Sequence, residues 1–337
     1  MGNCNSQIGQ YYSVAIKQPG VSKSQRMQSW SSTASFDKIF NHLDNNLQVY
    51  KDVVAESIPK IMSGDTCNFF AYGHTGSGKT HTIVGYNHED PQQIGLVLSA
   101  ARDLFGRLKE LNSQNGLPAA TLAIGLRMYE VRKKSAYDLL NARVECFVRE
   151  GPDGKTHVRG ETEILEGGRV RVRPIVMIPC WTFDEFRKTF QTGLNLRATG
   201  TSTVHDKSSR THAIFELEIV NQSVVKARDA IIERQAELVP HGKYATDVYI
   251  EEHKKGLIQD SNGGYILNPN YTINQNLIDL AEAKKREYEK RVEDAEQDLK
   301  TIFHSCSHSC LGGKFIFVDL AGSEYYNQES VSSSTGK

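Results

Sequence analysis

Gly73-His74-Thr75-Gly76-Ser77-Gly78-Lys79-Thr80 is the stretch that decides the fold. It meets the pattern G-x-x-x-x-G-K-[ST] at every fixed position. The run Cys67–Tyr72 (CNFFAY) leads into it with the short apolar character of a buried strand. Thr80, His81, Thr82 and Ile83 lead out of it as the start of a helix. Glycines allow successive backbone N–H groups to converge on one anion with no Cβ in the way. A following helix N-terminus adds unpaired donors and the positive end of a dipole. Lys79 is then the point charge for the β- and γ-phosphates, and the Thr80 hydroxyl a ligand for Mg²⁺. The bland alternative is a glycine-rich turn that binds nothing. The full pattern in a strand-to-helix context argues for a purine nucleoside triphosphate with its metal.

Such a site needs a carboxylate at the end of a second strand. Lys314–Leu320 (KFIFVDL) is a buried-type strand that delivers Asp319 to a carboxyl edge, where open α/β sheets bind ligands. Gly322, three residues on, offers a backbone N–H to the γ-phosphate. The implied fold class is α/β, a P-loop nucleoside triphosphatase with a central mixed sheet flanked by helices.

Outward from the loop, the apolar spacing from Asn46 to Met62 predicts an amphipathic helix, with Gly64 as its stop. Helices are also predicted at Leu96–Leu108 and at Thr182–Leu196, where Thr182 and Glu185 form a capping-box pair. Strands are predicted at Tyr11–Ile16, Thr121–Val131, Arg169–Ile178 and Ala213–Val220, with short apolar segments at Tyr137–Leu140 and Arg143–Val148. Residues 221–304 are charged and carry little continuous apolar sequence. Within them Leu277–Ile302 reads as a helix of roughly 40 Å. Its narrow apolar line is Leu277, Ala281, Tyr288, Val292, Ala295, Leu299 and Ile302, interrupted by Lys284. That fits a solvated helix or a coiled coil, with self-association through 277–302 as one use. The chain therefore divides into a polar N-terminal segment (1–34), a first core part (35–220), a charged insertion (221–312) and a last core strand with a tail (313–337).

The 337 residues are 39% apolar, and 40 Lys and Arg balance 40 Asp and Glu. The zero net charge removes the bulk electrostatic argument for a nucleic-acid partner. Six cysteines in a chain of this length do not make a disulfide scaffold, which points to a reducing compartment. Cys67, Cys146 and Cys180 read as packed thiols. His304, Cys306, His308 and Cys310 are zinc-competent residue types, but their i,i+2 spacing is tight, and a returning loop is the simpler reading. Met1-Gly2-Asn3-Cys4-Asn5-Ser6 fits the N-myristoylation pattern, with Cys4 as a second acylation site. A membrane is a partner only if Gly2 is acylated, and a chance match in a polar tail competes with that reading.

Three motifs in order resemble the kinesin motor domain. These are the loop Gly73–Thr80 within Phe70-Ala71-Tyr72 and His81-Thr82, then Ser208-Ser209-Arg210-Thr211-His212, then Asp319-Leu320-Ala321-Gly322-Ser323-Glu324. Ser35–Phe40 is similar to the segment kinesins carry before their first long helix. The resemblance covers roughly 35–220 and 313–324, and implies a microtubule-dependent ATPase using ATP and Mg²⁺, in the cytoplasm and on the cytoskeleton. It implies that Ser208 and Ser209 (switch I) stand near the metal and the attacking water, with Ser209 a metal ligand beside Thr80 and Asp319. Arg210 and Glu324 would pair across the pocket, coupling γ-phosphate state to mechanical change.

This chain departs from the family pattern in three places. Lys17-Gln18-Pro19 stands where kinesins carry R-x-R-P, and Arg171-Val172-Arg173-Pro174 falls at a different point in the order. His205 stands where switch I carries Asn, a change expected to slow hydrolysis more than binding. Only thirteen residues follow Glu324. The resemblance therefore predicts an incomplete C-terminal part of the fold and weak microtubule binding. Two alternatives remain: a non-motile nucleotide-binding interaction protein acting through 277–302, and another P-loop class such as a GTPase. The second lacks an N-K-x-D element.

Overall fold

Along 212–221 every residue from Leu217 to Asn221 is buried, so this strand is covered on both faces. The computed structural model describes residues 15–18, 28–31, 33, 36–90, 92–113, 120–132, 135–151, 154, 156–198, 211–259 and 264–323. In chain order the strands are β1 (Ala15–Gln18), β2 (Gln28–Ser31), β3 (Thr66–Ala71), β4 (Leu122–Arg132), β5 (Ser135–Asp138), β6 (Val144–Glu150) and β7 (Thr156–Ile164). There follow β8 (Val170–Pro174), β9 (Ile178–Cys180), β10 (His212–Asn221), β11 (Leu257–Gln259), β12 (Tyr265–Leu267) and β13 (Lys314–Asp319).

Nine of them form one sheet in the order β3, β13, β10, β4, β5, β6, β7, β8, with β9 also on β4. The free side of β4 is shared, β9 taking Ile124–Leu126 and β5 taking Tyr129–Arg132. Among the described strands only β3 and β13 run parallel, with Asp319 level with Ala71. This single parallel pair brings the carboxyl ends of the two site-bearing strands side by side.

The helices are α1 (Asn46–Val49), α2 (Ile58–Met62), α3 (Lys79–Ile83), α4 (Leu96–Ser113), α5 (Phe183–Ala198), α6 (Gln222–Lys255) and α7 (Gln275–Ser305). The expected helix over 46–62 is helical throughout, but passes through a π turn and a 3₁₀ turn between α1 and α2. Alternate side chains of β10 split the two layers. Phe215 faces Phe190 of α5, while Glu218 faces Arg228 of α6. The main core joins α4, α5, β4, β10 and β13, and takes in Leu299, Ile302 and Phe303 from the end of α7. Thr182 caps α5 as expected, accepting from Glu185 N at 3.2 Å. Glu185 in turn accepts from Trp181 N, not from the N-cap residue itself.

Residues 222–305 form a helical hairpin. Asn221 and Asn274 cap its two helices through side-chain bonds to Val224 N and Leu277 N. The sequence reading missed α6, because Val239-Pro240-His241-Gly242 looks like a break. The helix runs through Pro240 regardless. Tertiary contact offsets the lost ladder bond: His241 stacks on Tyr288 of α7 at 3.8 Å. Small residues let the helices approach, with Ala245 and Val248 packed on Ile278 and Ala281.

Part of the apolar line over 277–302 is used within the chain: Leu277 and Ala281 pack beside Ala245 and Val248 of α6, and Leu299 and Ile302 pack against the main core. The hairpin is also fixed to the sheet. Arg171 of β8 pairs with both Glu163 and Glu233. Glu218 binds Arg228 at 2.6 Å and Arg127 at 2.8 Å. Strand β7 is a second omission, since its sequence (THVRGETEI) is mostly polar and exposed. Among the described residues no helix is long and apolar enough to cross a membrane.

Candidate functional site

The loop between β3 and α3 is shaped by its glycines. Gly76 and Gly78 have φ of 80° and 90°, in the left-handed region where a side chain is strained. Ser77 N donates to His74 O at 3.2 Å, and Thr82 N to Gly78 O at 2.8 Å, closing the turn into the helix. Lys79 folds back across the loop and donates from Nζ to Gly73 O at 2.9 Å and to His74 O at 2.8 Å. Its ammonium thus stands over the same peptides that would face a phosphate.

Thr80 and Asp319 are 239 positions apart in sequence, and their side chains meet. Thr80 Oγ1 donates to Asp319 Oδ2 at 2.8 Å. The segment after Asp319 is laid along the loop. Leu320 N donates to Ala71 O and Ser323 N to Gly73 O, at 3.3 and 3.1 Å. Gly322 lies so close that a Cβ there would come 2.2 Å from Thr75 Oγ1 and 2.9 Å from Thr75 N. Only glycine fits at this contact. Gly73–Thr80, Asp319 and Gly322 therefore form one cluster. Ser208, Ser209, Arg210, Glu324 and His205 lie outside the described residues.

Two partners were missed in the sequence. Arg197, in the last turn of α5, donates from Nη1 to Asp319 Oδ2 at 2.9 Å, with both side chains buried. His212 Nδ1 accepts from Ala321 N at 3.1 Å, tying the start of β10 to the segment after β13. An isolated arginine at a helix end gives no sequence signal. His212 was visible only as the last letter of a motif.

The cluster fits a metal-bound polyphosphate by its donor set and by what it leaves unpaired. Asp319 Oδ1 and Arg197 Nε and Nη2 are buried without a hydrogen-bond partner among the described residues. Unpaired polar atoms in a closed interior are costly, which marks a place where a ligand, ion or water belongs. The remaining candidates do not gather. Among the described residues no three His, Cys, Asp or Glu side chains form a metal cluster. Cys146, Cys180 and Cys310 are buried thiols that desolvation pushes up to about 11. Arg171 and Arg173 are both committed to Glu163, within β8 and far along the sheet from the loop.

A parallel strand pair, a glycine loop leading into a helix and an acidic residue at the neighbouring strand end define a P-loop nucleoside triphosphatase fold. The kinesin motor domain model matches residues 3–240. The chain is 31% identical over 184 residues to the kinesin-like protein KIF24 of Mus musculus, covering 55% of this chain and 12% of that protein. Human KIF24 is 32% identical over the same length. The human kinesin-1 heavy chain is 26% identical over 194 residues, covering 57% of this chain and 18% of that one. A solved structure described as that of a fast kinesin aligns with TM-score 0.47 and 16% identity, covering 96% of this chain and 64% of that one. The chain belongs to the kinesin motor domain family. The aligned part is about an eighth of the length of the KIF24 relatives.

Proposed function

We propose that this chain binds ATP with Mg²⁺ in the loop Gly73–Thr80 and hydrolyses it as the nucleotide-responsive part of a microtubule motor. The observation that carries the reading is the 2.8 Å contact between Thr80 Oγ1 and Asp319 Oδ2, which joins the loop to the end of β13. Backbone N–H groups of 73–80 receive the β- and γ-phosphates, and Lys79 exchanges its loop carbonyls for phosphate oxygens. Thr80 and Asp319 would hold the metal. Mg²⁺ would neutralise charge on the transferring phosphoryl group. Gly322 offers its N–H toward the γ-phosphate, and any movement of Gly322 is felt by Thr75. By the family resemblance, Ser208 and Ser209 would orient the attacking water and Ser209 would add a metal contact, while Arg210 and Glu324 would form the pair that answers to the γ-phosphate. Microtubules are the track, which sets the protein on the cytoskeleton of the cytoplasm.

A second reading is favoured by the helical hairpin at 222–305, which is rigidly tied to the sheet at Glu218 and Glu233. In it the chain is a nucleotide-binding interaction protein that does not move along a track. Steady-state ATPase measurements with and without microtubules separate the two. Stimulated turnover supports the motor, and binding without stimulation supports the second. Lys79→Ala abolishes ATP binding under both. Unchanged binding of a fluorescent ATP analogue by that variant would refute both.

A further inference from the structure

His212 is the first residue of β10, and it stands where two paired strands separate. The ladder between β10 and β13 ends at Ala213 opposite Asp319. His212 still pairs with Val131 of β4, while the chain after Asp319 turns toward the phosphate loop. The imidazole supplies the bond that the ladder no longer provides. Ala321 N donates to its Nδ1 at 3.1 Å. A backbone N–H can only donate, so Nδ1 carries no proton and the neutral ring keeps its proton on Nε2.

Side-chain alternation puts this ring on the opposite face of the sheet from the Asp319 carboxylate. Ala213, Phe215 and Asp319 belong to the face covered by α5, from which Arg197 reaches the acid. His212 falls with Glu216 and Glu218 on the other face, toward α6. The ring therefore holds the segment after Asp319 from the side away from Arg197.

Three N–H groups fix that segment. Leu320 N reaches Ala71 O and Ser323 N reaches Gly73 O, both on the β3 side. Ala321 N is held from the β10 side by His212. Gly322 N, between them, has no hydrogen-bond partner among the described residues. The two carbonyl acceptors are main-chain atoms that any sequence would supply at those positions. The imidazole is the side chain among the three, so it is the anchor that depends on residue type. Without it the segment is held from one side only, and the peptides between Leu320 and Ser323 can turn.

We propose that His212 is a positioning residue for the γ-phosphate: by holding Ala321 N from the β10 side, it aims the next N–H, that of Gly322, into the phosphate loop. The inference rests on the reading of Gly73–Thr80 as an ATP site. A donor fixed beforehand needs no reorganisation when the charge arrives, which is how preorganised N–H groups stabilise anionic oxygens. The effect is confined to the terminal phosphate. ADP has no such phosphate and gains nothing from His212.

The test is calorimetry on the full chain, on His212→Phe and on His212→Asn. Each is titrated in Mg²⁺ with ADP and with adenylyl imidodiphosphate, a non-hydrolysable ATP analogue. The first substitution keeps a ring and removes the acceptor, and the second restores an acceptor at similar reach. His212→Phe should weaken the analogue on the order of tenfold, the worth of one hydrogen bond to a charged group, and leave ADP unchanged. His212→Asn should recover most of that loss. Equal losses for the two nucleotides, with a lowered melting temperature, would mark a merely structural residue and overturn the proposal. Parent-like affinity of His212→Phe for the analogue, or no recovery in His212→Asn, would overturn it as well. A parent chain that binds neither nucleotide overturns the reading of the loop and this inference with it. A parent that binds both, with no dependence on His212, overturns the inference alone.

Discussion

Arg197 donates from Nη1 to Asp319 Oδ2 at 2.9 Å inside the molecule, on the same oxygen that Thr80 reaches from the other side. The arginine thus balances the acid at the strand end and fixes which oxygen faces the loop. Removing one member of a buried ion pair leaves the other uncompensated, at a cost of about 3–5 kcal/mol. Arg197→Leu should therefore lower the urea midpoint strongly. Arg197→Leu/Asp319→Asn should lose less than the two single changes together. Additive losses in urea titrations would show that the two side chains do not act as a pair.

Thr80→Ala keeps the loop backbone and removes the hydroxyl proposed to hold the metal. Losing one contact to a charged group costs about 1.5–3 kcal/mol, so ATP affinity in the presence of Mg²⁺ should fall roughly 10–100-fold. Affinity measured in EDTA should change far less. Equal losses in the two conditions, read by calorimetry, would place Thr80 outside the metal shell.

Gly322→Ala tests the contact with Thr75. The added methyl cannot fit at 2.2 Å from Thr75 Oγ1, so the segment must back away from the loop. A displacement of this size in a catalytic geometry costs about 10²-fold, and the loss should appear in kcat more than in the melting temperature. A variant with normal kcat would exclude Gly322 from the γ-phosphate response.

Acid should loosen the root of the hairpin. Burial alone would raise the Glu218 pKa, but the Arg228 hydrogen bond and the charges of Arg228, Arg127 and Lys314 overcome it and hold it down at about 2, against an ordinary 4.5. The folded value is depressed, so the stabilisation is present above pH 4.5 and is lost as pH falls from there toward 2. It amounts to on the order of 3 kcal/mol. Denaturant titrations of the parent should show this loss, and Glu218→Gln, already destabilised at neutral pH, should show a shallower acid slope. Parallel slopes would sink the assignment.

Short-range chemistry was legible in the sequence, and long-range pairing was not. The loop Gly73–Thr80 announced itself because phosphate contact restricts each position to a few residue types. The strand at 314–319 was visible because a strand covered on both faces reads as a continuous apolar run. Helix α6 was invisible because its buried positions are alanines, valines and paired polar groups, and because Pro240 and Gly242 mimic a break. Its fold is supported by tertiary packing, with Ala245 and Val248 against Ile278 and Ala281 of α7 and Val224 in the main core.

The residue types at the phosphate loop, and their order before the acid at 319, were determined by the sequence itself, since local backbone geometry and charge admit little else there. Which side chains share a carboxylate was decided only by the tertiary structure. A parallel register between β3 and β13, and the end of α5 packed over them, bring Thr80, Arg197 and Asp319 together. No local rule encodes that meeting, because it depends on burying three separate segments at once.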